Sequence, residues 1–185
     1  MTMFGDGLDA AVHKSLTRPV PRSAGVQMRY LVRQLKSTRA VAQMLRVSQR
    51  TVERYVKDQI KKPRPGLAAR LEHEVTQRWQ PQIRAKARRK AATTDGIVID
   101  TRARIGYTAP VGSTDQDRMR HLTVALPPQY AARLFNAQEQ GASDQELQDI
   151  AADALREVYF QDNGRRAGSL EEVRFTDIEH LEFDL

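Results

Sequence analysis

The chain has 185 residues, a length that suits one large domain or two small ones. It has no cysteine, which excludes disulfide bridges and thiolate zinc sites, and its four histidines are scattered without metal-ligand spacing. The net charge of +7 is divided unevenly: residues 1–122 carry 25 Lys and Arg against 10 Asp and Glu, whereas residues 123–185 carry 5 Lys and Arg against 13 Asp and Glu. The basic part would attract a phosphate backbone, and the acidic part would face solvent or a protein partner.

The first 35 residues predict two helices. A short helix is expected from Leu8 to Leu16, before Pro19 and Pro21 break the pattern. Ser23 then precedes a second helix, whose apolar face contains Met28, Leu31, Val32 and Leu35. The N-terminus lacks a basic stretch followed by a long apolar run, and no window approaches the roughly 20 apolar residues of a membrane span. We therefore expect a cytoplasmic protein without a membrane partner.

The segment Thr38 to Lys57, TRAVAQMLRVSQRTVERYVK, has the spacing of a DNA-reading helix-turn-helix. Ala42 is small where two helices would cross, and Ser48 is a natural N-cap for the second helix. Arg46 stands where glycine is common, so the turn must tolerate a side chain. The alternative is an ordinary amphipathic helical hairpin. In the DNA-binding motif, the N-terminal residues of the second helix face base edges in the major groove. The candidate base readers are Gln49, Arg50 and Arg54.

Two basic runs follow this segment. The first, Lys61-Lys62-Pro63-Arg64-Pro65, would end the second helix and form a stiff connector. A helix with Leu67, Leu71 and Val75 on one face comes next, and Pro81 separates it from a second run, 84–90, in an alanine-rich helical context. Such a run is often a solvated helix face, but beside a DNA-binding motif phosphate contact is favoured. The predicted DNA-binding residues are Ser48, Gln49, Arg50, Arg54, Lys57, Lys61, Lys62, Arg64, Arg84, Lys86, Arg88, Arg89 and Lys90.

From Gly96 onwards the apolar residues alternate. Ile97 to Tyr107 and Arg118 to Leu126 each place apolar residues on one side, which predicts two strands, in the simplest case a hairpin. The intervening residues 108–117 are rich in turn formers and predict an exposed loop.

Two helices are predicted after the second strand. The first ends at Gly141, and the second begins with a capping box of Ser143 and Glu146. Strand, helix, helix in this order resembles a ribbon-helix-helix unit, in which two chains pair their strands. We therefore expect homodimerisation or partner docking through this acidic half.

The predicted fold class is α+β, mainly helical, with a helix-turn-helix domain ahead of a small strand-hairpin and helix-helix region. The predicted segments are 1–65 (DNA-binding domain), 66–95 (basic helical segment), 96–126 (strand-loop-strand), 127–160 (helical hairpin) and 161–185 (acidic tail).

The sequence shows no catalytic constellation. It has no P-loop, no Gly-x-Ser-x-Gly motif and no carboxylate pair at glycosidase-like or nuclease-like spacing, and no metal site is predicted. The loop does offer hydroxyl groups, and a polymerase's metal ions can activate such an oxygen to attack a nucleotide's α-phosphate. On the residues alone, ordinary turn residues are the simpler interpretation. The hydroxyls are those of Tyr107, Thr108, Ser113 and Thr114.

The chain resembles the Streptomyces telomere terminal proteins, called Tpg, over essentially its whole length. The resemblance is carried by TRAVAQMLRVSQRTVERYVKDQIKKPRPG, RWQPQIRAKARRKAA and TDGIVIDTRARIGYTAPVGSTDQDR, and the GYTAPVGSTDQDR part is the most specific. It implies covalent attachment to the 5′ ends of linear replicons and priming of the synthesis that fills the recessed 5′ end. It also implies that Thr114 is the priming residue. Ser113, one residue away, is a second candidate acceptor.

The resemblance also implies partners, namely telomeric 3′-overhang DNA, a host DNA polymerase and a telomere-associated recruiting protein. The polymerase would bring its own Mg²⁺ and a deoxynucleoside triphosphate, with cytidine as the first base. We therefore expect no intrinsic cofactor, no enzymatic activity of the chain itself, and association with the nucleoid and its telomeres. Asp115 and Asp117 would either help bind the metal or keep the loop solvated, and the second is favoured.

Two other functions stay open. A helix-turn-helix transcription regulator without covalent chemistry would bind palindromic duplex sites spaced by ~34 Å and would leave Thr114 dispensable. An architectural DNA-binding protein would show strong salt dependence with little discrimination among DNA sequences.

Overall fold

The computed structural model describes residues 3–108, 115–165, 170 and 172–185. The described residues form eight α-helices and one three-stranded antiparallel sheet, so the predicted α+β class is confirmed. They divide into two compact units, one of residues 17–81 and one that joins residues 1–16 to residues 82–185. No helix within the described ranges is long and apolar enough to cross a membrane.

The elements in chain order are α1 (Met3–Lys14), α2 (Ala24–Leu35), α3 (Thr38–Leu45), α4 (Gln49–Val56), α5 (Pro65–Arg78), α6 (Pro81–Lys90), β1 (Ile97–Thr108), β2 (Asp115–Leu126), α7 (Pro128–Glu139), α8 (Asp144–Leu155) and β3 (Glu172–Asp184). Two short π-helical turns, Ala91–Asp95 and Arg156–Phe160, continue α6 and α8.

Helices α2 to α5 build the unit of residues 17–81. Ser37 and Ser48 begin α3 and α4, since each side-chain oxygen accepts a backbone N–H three residues later, from Ala40 and Thr51, at 3.2 Å. The predicted N-cap at Ser48 is therefore confirmed, whereas Ser23 precedes α2 without a side-chain capping bond. The apolar faces of the four helices meet in a common core, whose buried members include Met28, Leu31, Val41, Leu45, Val52, Leu67, Leu71 and Val75.

The other unit is built on the sheet, whose strand order is β2-β1-β3. The two predicted strands are confirmed as an antiparallel hairpin, in which Ile99 pairs with Val124. One face of the sheet is apolar and packs against α1, α7 and α8 in a single core. The capping box of Ser143 and Glu146 at the start of α8 is also confirmed.

Gly96 allows the chain to turn into β1. Its φ of 77° lies in the region that favours glycine, and a Cβ there would lie 2.1 Å from the backbone oxygen of Leu126. Any side chain at this position would push β1 away from the end of β2.

The C-terminal segment differs from the predicted acidic tail. Residues 172–184 form β3, which pairs with β1 along nearly its whole length. Val173, Phe175 and Phe183 are buried in the sheet core, while acidic residues of the same strand are exposed. Because the side chains of a strand point to opposite faces of the sheet, β3 is acidic towards solvent and apolar towards the core.

Helix α1 differs from its predicted place in a DNA-binding domain of residues 1–65. It belongs to the sheet unit, where Phe4 and Leu8 are buried. The carboxylate of Asp144 accepts the backbone N–H groups of Met3, Phe4 and Gly5 at 2.8–3.1 Å. An anion at this position satisfies the unpaired donors of the helix N-terminus and holds α1 against the start of α8.

Candidate nucleic-acid interface

Helices α3 and α4 are joined by a turn of three residues, 46–48. Arg46 takes the left-handed conformation, with φ 54°, and its N–H donates to the carbonyl of Gln43 at 3.1 Å. The N–H of Val47 donates to the carbonyl of Ala42 at 2.9 Å. These bonds satisfy the last carbonyls of α3, as a glycine-containing turn would. The turn therefore tolerates Arg46, whose side chain is exposed.

One side of α4 is polar and exposed, while the opposite side is locked in the core. Val52 and Tyr55 are 0% and 4% exposed. The exposed residues, which we call the α4 basic face, are Gln49, Arg50, Arg54 and Lys57. Arg50 and Arg54 on α4 and Lys57 directly after its end put three cations on one side, a surface that suits a phosphate-lined groove.

Gln49 is held in place before any ligand arrives. Its Nε2 donates to Thr38 Oγ1 at 3.1 Å and to Glu53 Oε1 at 3.0 Å. Both amide hydrogens are therefore engaged, and the carbonyl oxygen is left as an acceptor for an amino group on a base edge.

The C-terminal end of α4 is fixed against α2. Nη1 of Arg29 donates to the carbonyl of Val56 at 2.9 Å and to Asp58 Oδ2 at 2.7 Å. Gly25 permits this approach, because a Cβ there would lie 2.2 Å from Asp58 Oδ1. On the other side, Arg70 Nε donates to the carbonyl of Leu45 at 3.1 Å and fixes the end of α3. Arg29 thus fixes the end of α4 against α2, and Arg70 fixes the end of α3 against α5.

The charge of the protein is divided between the two compact units. Residues 17–81 contain 15 Lys and Arg against 4 Asp and Glu, a balance of +11. The remaining residues contain 15 against 19, a balance of −4. Three of the 15 cations of residues 17–81 lie exposed on the basic connector, residues 61–64. They are Lys61, Lys62 and Arg64.

Two residues of the second basic run are not placed as predicted. Arg84 is only 8% exposed and lies 3.5 Å from Asp9 Oδ1, and burial lowers the pKa of its guanidinium, against the opposing effect of Asp9. Arg88 donates to Asp9 at 3.3 Å and to Glu139 at 3.0 Å, and it stacks over the Phe135 ring at 5.5 Å. Both guanidinium groups are engaged inside the protein, so the prediction that they contact phosphate is corrected.

The other cations of that run face solvent. Lys86, Arg89 and Lys90 are exposed, and Lys90 forms an ion pair with Asp95 at 2.6 Å. The division follows from helix periodicity, because Arg84 and Arg88 are four residues apart on the face that also contains buried Ala91.

The predicted acceptor Thr114 and its neighbour Ser113 lie outside the described residues. Strand β1 ends at Thr108 and β2 begins at Asp115, so the backbone of Asp115 and Asp117 belongs to the start of β2. Tyr107 is half-buried and its ring packs edge-on against Phe160, with centroids 5.7 Å apart. Its hydroxyl is therefore a poorer candidate for an exposed acceptor.

The solvent-facing side of the sheet carries a small polar cluster. Asp100 accepts a hydrogen bond from Thr123 Oγ1 at 2.6 Å, and the Nε2 atoms of His121 and His180 lie 3.1 and 3.3 Å from its Oδ1. The bonds from Thr123 and His121 hold the pKa of Asp100 below its ordinary value. In the part of the chain that the structure describes, no group of three or more His, Asp or Glu side chains is arranged to hold a metal ion.

Arg39 is an exposed cation that was not among the predicted site residues. Arg39 lies in the first turn of α3, next to Thr38, which accepts from Gln49. The first helix of a DNA-binding helix-turn-helix crosses the DNA backbone, so the sequence could have predicted Arg39 as a further candidate for phosphate contact.

Comparison of the chain with protein-family models, with curated proteins and with solved structures finds no match.

Proposed function

We propose that the chain is a DNA-binding terminal protein, which binds the telomeric 3′ overhang of a linear replicon and offers the Thr114 hydroxyl as a primer to a host DNA polymerase. The observation that carries the DNA-binding part is the concentration of charge, +11, in one compact unit that exposes the α4 basic face. The priming part is supported by the resemblance of the GYTAPVGSTDQDR segment to the Tpg family.

In this proposal α3 and α4 act as a helix-turn-helix. Gln49 and Arg50, in the first turn of α4, would meet base edges. Arg54, which the sequence also placed among the base readers, lies beyond that first turn and would meet a phosphate, as would Lys57 and the basic connector. Phosphate contacts of this kind dominate affinity and make it depend on salt. Base contacts by Gln49 and Arg50 would add sequence preference.

The chemical step is a transfer of one deoxynucleotide to the protein. Thr114 Oγ attacks the α-phosphorus of dCTP, a phosphodiester bond forms, and the bond to the β-phosphate oxygen breaks to release pyrophosphate. The hydroxyl proton leaves to a base of the polymerase site or to water. The polymerase's Mg²⁺ ions supply charge neutralisation at the phosphates. The chain contributes the oxygen and its delivery to the DNA end, so it acts as a primer and not as the enzyme.

A recruiting protein would dock on the acidic half, which follows the basic unit in the chain. Deleting residues 160–185 would also remove β3 from the sheet, so a deletion cannot test docking alone. Charge substitutions at exposed residues of β3, such as Asp177→Asn, leave the sheet intact. Loss of recruitment in such variants, with telomeric DNA binding retained, would support this surface. Recruitment that stays at the wild-type level would place the partner elsewhere.

A helix-turn-helix regulator without covalent chemistry is the second candidate, because the same turn and the same α4 basic face support it. The two functions differ in their dependence on the loop. For the terminal protein, Thr114→Ala abolishes covalent attachment of a labelled deoxynucleotide in the presence of polymerase, and Ser113→Ala retains it. For the regulator, no variant becomes labelled and both variants bind DNA as wild type does. The regulator also binds duplex palindromes in preference to a 3′ overhang.

A further inference from the structure

Tyr159 is an aromatic side chain that the packing of the protein leaves uncovered. It is 44% exposed, whereas Tyr30, Tyr55 and Tyr130 are at most 8% exposed, and every other aromatic residue in the described ranges is buried or half-buried. A single exposed apolar residue is common on protein surfaces, so its surroundings decide whether it can serve a ligand.

The ring of Tyr159 is supported by its neighbours. It packs edge-on against Phe160, with ring centroids 5.0 Å apart and the two planes at 89°. The Phe160 ring in turn contacts the ring of Tyr107, at 5.7 Å between centroids, and the guanidinium carbon of Arg120 lies 5.5 Å from its centre. Edge-on ring pairs and a cation over a ring are favourable arrangements, so these contacts hold Tyr159 in place without covering it.

The backbone around Tyr159 is also fixed. Helix α8 ends at Leu155, and the π-helical turn Arg156–Phe160 continues it. Single π-helical turns are rare and occur frequently at functional sites. The only carboxylate of this turn, that of Glu157, accepts a hydrogen bond from the hydroxyl of Tyr130 and so ties the turn to α7.

The supported ring lies at the base of the loop that contains Thr114. Tyr107 pairs with Asp115 across the hairpin, and Asp115 is the residue that follows Thr114 in the chain. Arg118 and Arg120 occupy alternate positions of β2 and therefore point to the same face of the sheet, where Arg118 is exposed. An aromatic cluster and an exposed cation thus lie beside the segment to which the proposed function attaches a nucleotide.

This combination suits a base of single-stranded DNA. The bases of a duplex stack on one another, whereas those of a single strand are open, and an exposed aromatic ring offers a surface on which an open base can stack. Cations beside such rings follow the phosphates of the strand. A protein partner would need a wider apolar patch, but the residues after Phe160, 161–164, are polar or glycine.

We propose that Tyr159 stacks on a base of single-stranded DNA at the base of the loop, and that it thereby holds the strand beside Thr114. Phe160, supported by Tyr107 and Arg120, keeps the Tyr159 ring in place, and Arg118 faces the phosphates of the same strand. This proposal rests on the proposed function, because it names the residue that binds the strand near the priming hydroxyl.

The test measures binding of the full chain by fluorescence anisotropy to three probes. They are a single-stranded dodecamer, the same strand with abasic sites in place of its bases, and the blunt duplex. Tyr159→Leu removes the ring but keeps an apolar side chain, and Tyr159→Phe keeps the ring. The matched control is Leu185→Ala, which shortens a side chain that is 40% exposed in the same compact unit. Thermal unfolding checks that all three variants are folded.

Tyr159→Leu should bind the dodecamer about tenfold more weakly than wild type, because stacking of one base on an aromatic side chain contributes about that factor. The slope of its affinity against salt should stay at the wild-type value, since no charge is lost. Tyr159→Phe and Leu185→Ala should bind the dodecamer within about twofold of wild type. On the abasic strand and on the duplex, Tyr159→Leu should equal wild type, because neither probe offers an open base.

The proposal is overturned if Tyr159→Leu binds the dodecamer as tightly as wild type does, or if it loses as much affinity for the abasic strand or the duplex. An equal loss in Tyr159→Phe would also overturn it, because the ring would then not be what binds. A failure of the proposed function gives different results. A wild-type chain that binds no DNA removes that function altogether, and a Tyr159-dependent affinity without nucleotidylation of Thr114 removes the priming role while the stacking site stands.

Discussion

Replacing Arg54 by Gln should lower both the affinity of the chain for DNA and the dependence of that affinity on salt. Arg54 is exposed on the α4 basic face, and among the described residues its side chain has no ion-pair partner. Its charge is therefore available to a phosphate without breaking any contact inside the protein. The substitution keeps a long polar side chain and removes only the charge.

The size of the expected change in salt dependence follows from the number of cations that contact phosphates. Each phosphate neutralised contributes about −0.9 to the slope of log K against log salt for duplex DNA. The six exposed cations of the α4 basic face and the connector together contribute at most about −5 to this slope, and losing one brings the slope about 0.9 closer to zero. Over a fourfold rise in salt, wild type should therefore lose about 3.5-fold more affinity than Arg54→Gln. The six are Arg50, Arg54, Lys57, Lys61, Lys62 and Arg64.

The matched control is Arg88→Gln, which removes the same charge from a residue engaged inside the other unit. Arg88 contacts Asp9, Gln138 and Glu139 and stacks on Phe135. Its loss should leave the salt slope at the wild-type value and lower the stability of the fold by about 1–2 kcal/mol, because hydrogen bonds of a partly buried charge are broken.

Fluorescence anisotropy with labelled duplex and 3′-overhang DNA, at 50 to 200 mM KCl, measures the slopes, and thermal unfolding measures stability. Two results would contradict this prediction: Arg54→Gln keeps the wild-type slope, or Arg88→Gln brings the slope as close to zero as Arg54→Gln does. Either result would mean that exposure in this structure does not decide which arginines meet phosphate.

Three further predictions concern the fold. Gly96→Ala should cost more than about 2 kcal/mol in chemical denaturation, because its Cβ would collide with Leu126, whereas Gly141→Ala, with nothing within 4 Å, should cost about 1 kcal/mol; equal costs would contradict this. Arg46→Gly should raise the unfolding free energy by up to about 1 kcal/mol, since it relieves a left-handed arginine, and a loss would show that the side chain is needed. The pKa of Asp100 lies below its ordinary value of 3.8, so its ionised carboxylate stabilises the fold above pH 3.8, and this stabilisation disappears as the pH falls further. The difference in unfolding free energy between wild type and Asp100→Asn should therefore shrink as the pH falls from 6 to 3, and a constant difference would contradict this.

Much of the fold was predictable because its signals are local. Ser48, with its side-chain bond to the N–H of Thr51, and the capping box of Ser143 and Glu146 are each decided within four residues of sequence. The alternation of apolar residues in β1 and β2 likewise showed which face is buried, and the structure pairs the two strands as a hairpin.

Strand β3 was not predicted because its pattern is irregular and its charge is high. Its apolar residues are spaced by two, three, three and two positions, and its pairing with β1 shifts register twice. A strict alternation is therefore absent, and the outward acidic residues resemble a solvated tail. The apolar residues are Val173, Phe175, Ile178, Leu181 and Phe183.

The inward placement of Arg84 and Arg88 depends on a distant partner. Asp9 lies about 75 positions earlier, on α1, and nothing near the basic run indicates that a carboxylate will face it. The shared face with Ala91 was a weaker local signal, because an alanine-rich helix offers small residues on every side. In the proposed function, exposed cations of the run, such as Lys86 and Arg89, are therefore the ones that would contact a phosphate.

The most direct test of the central claim is a nucleotidylation assay. Purified chain, telomeric 3′-overhang DNA, a polymerase-containing extract and labelled dCTP are incubated with wild type, Thr114→Ala and Ser113→Ala, and the protein is then denatured and analysed by mass spectrometry. We expect a deoxycytidylate on Thr114 in wild type and in Ser113→Ala, and none in Thr114→Ala. Label on no variant, while all three bind duplex DNA sequence-specifically, would contradict it and leave a DNA-binding regulator.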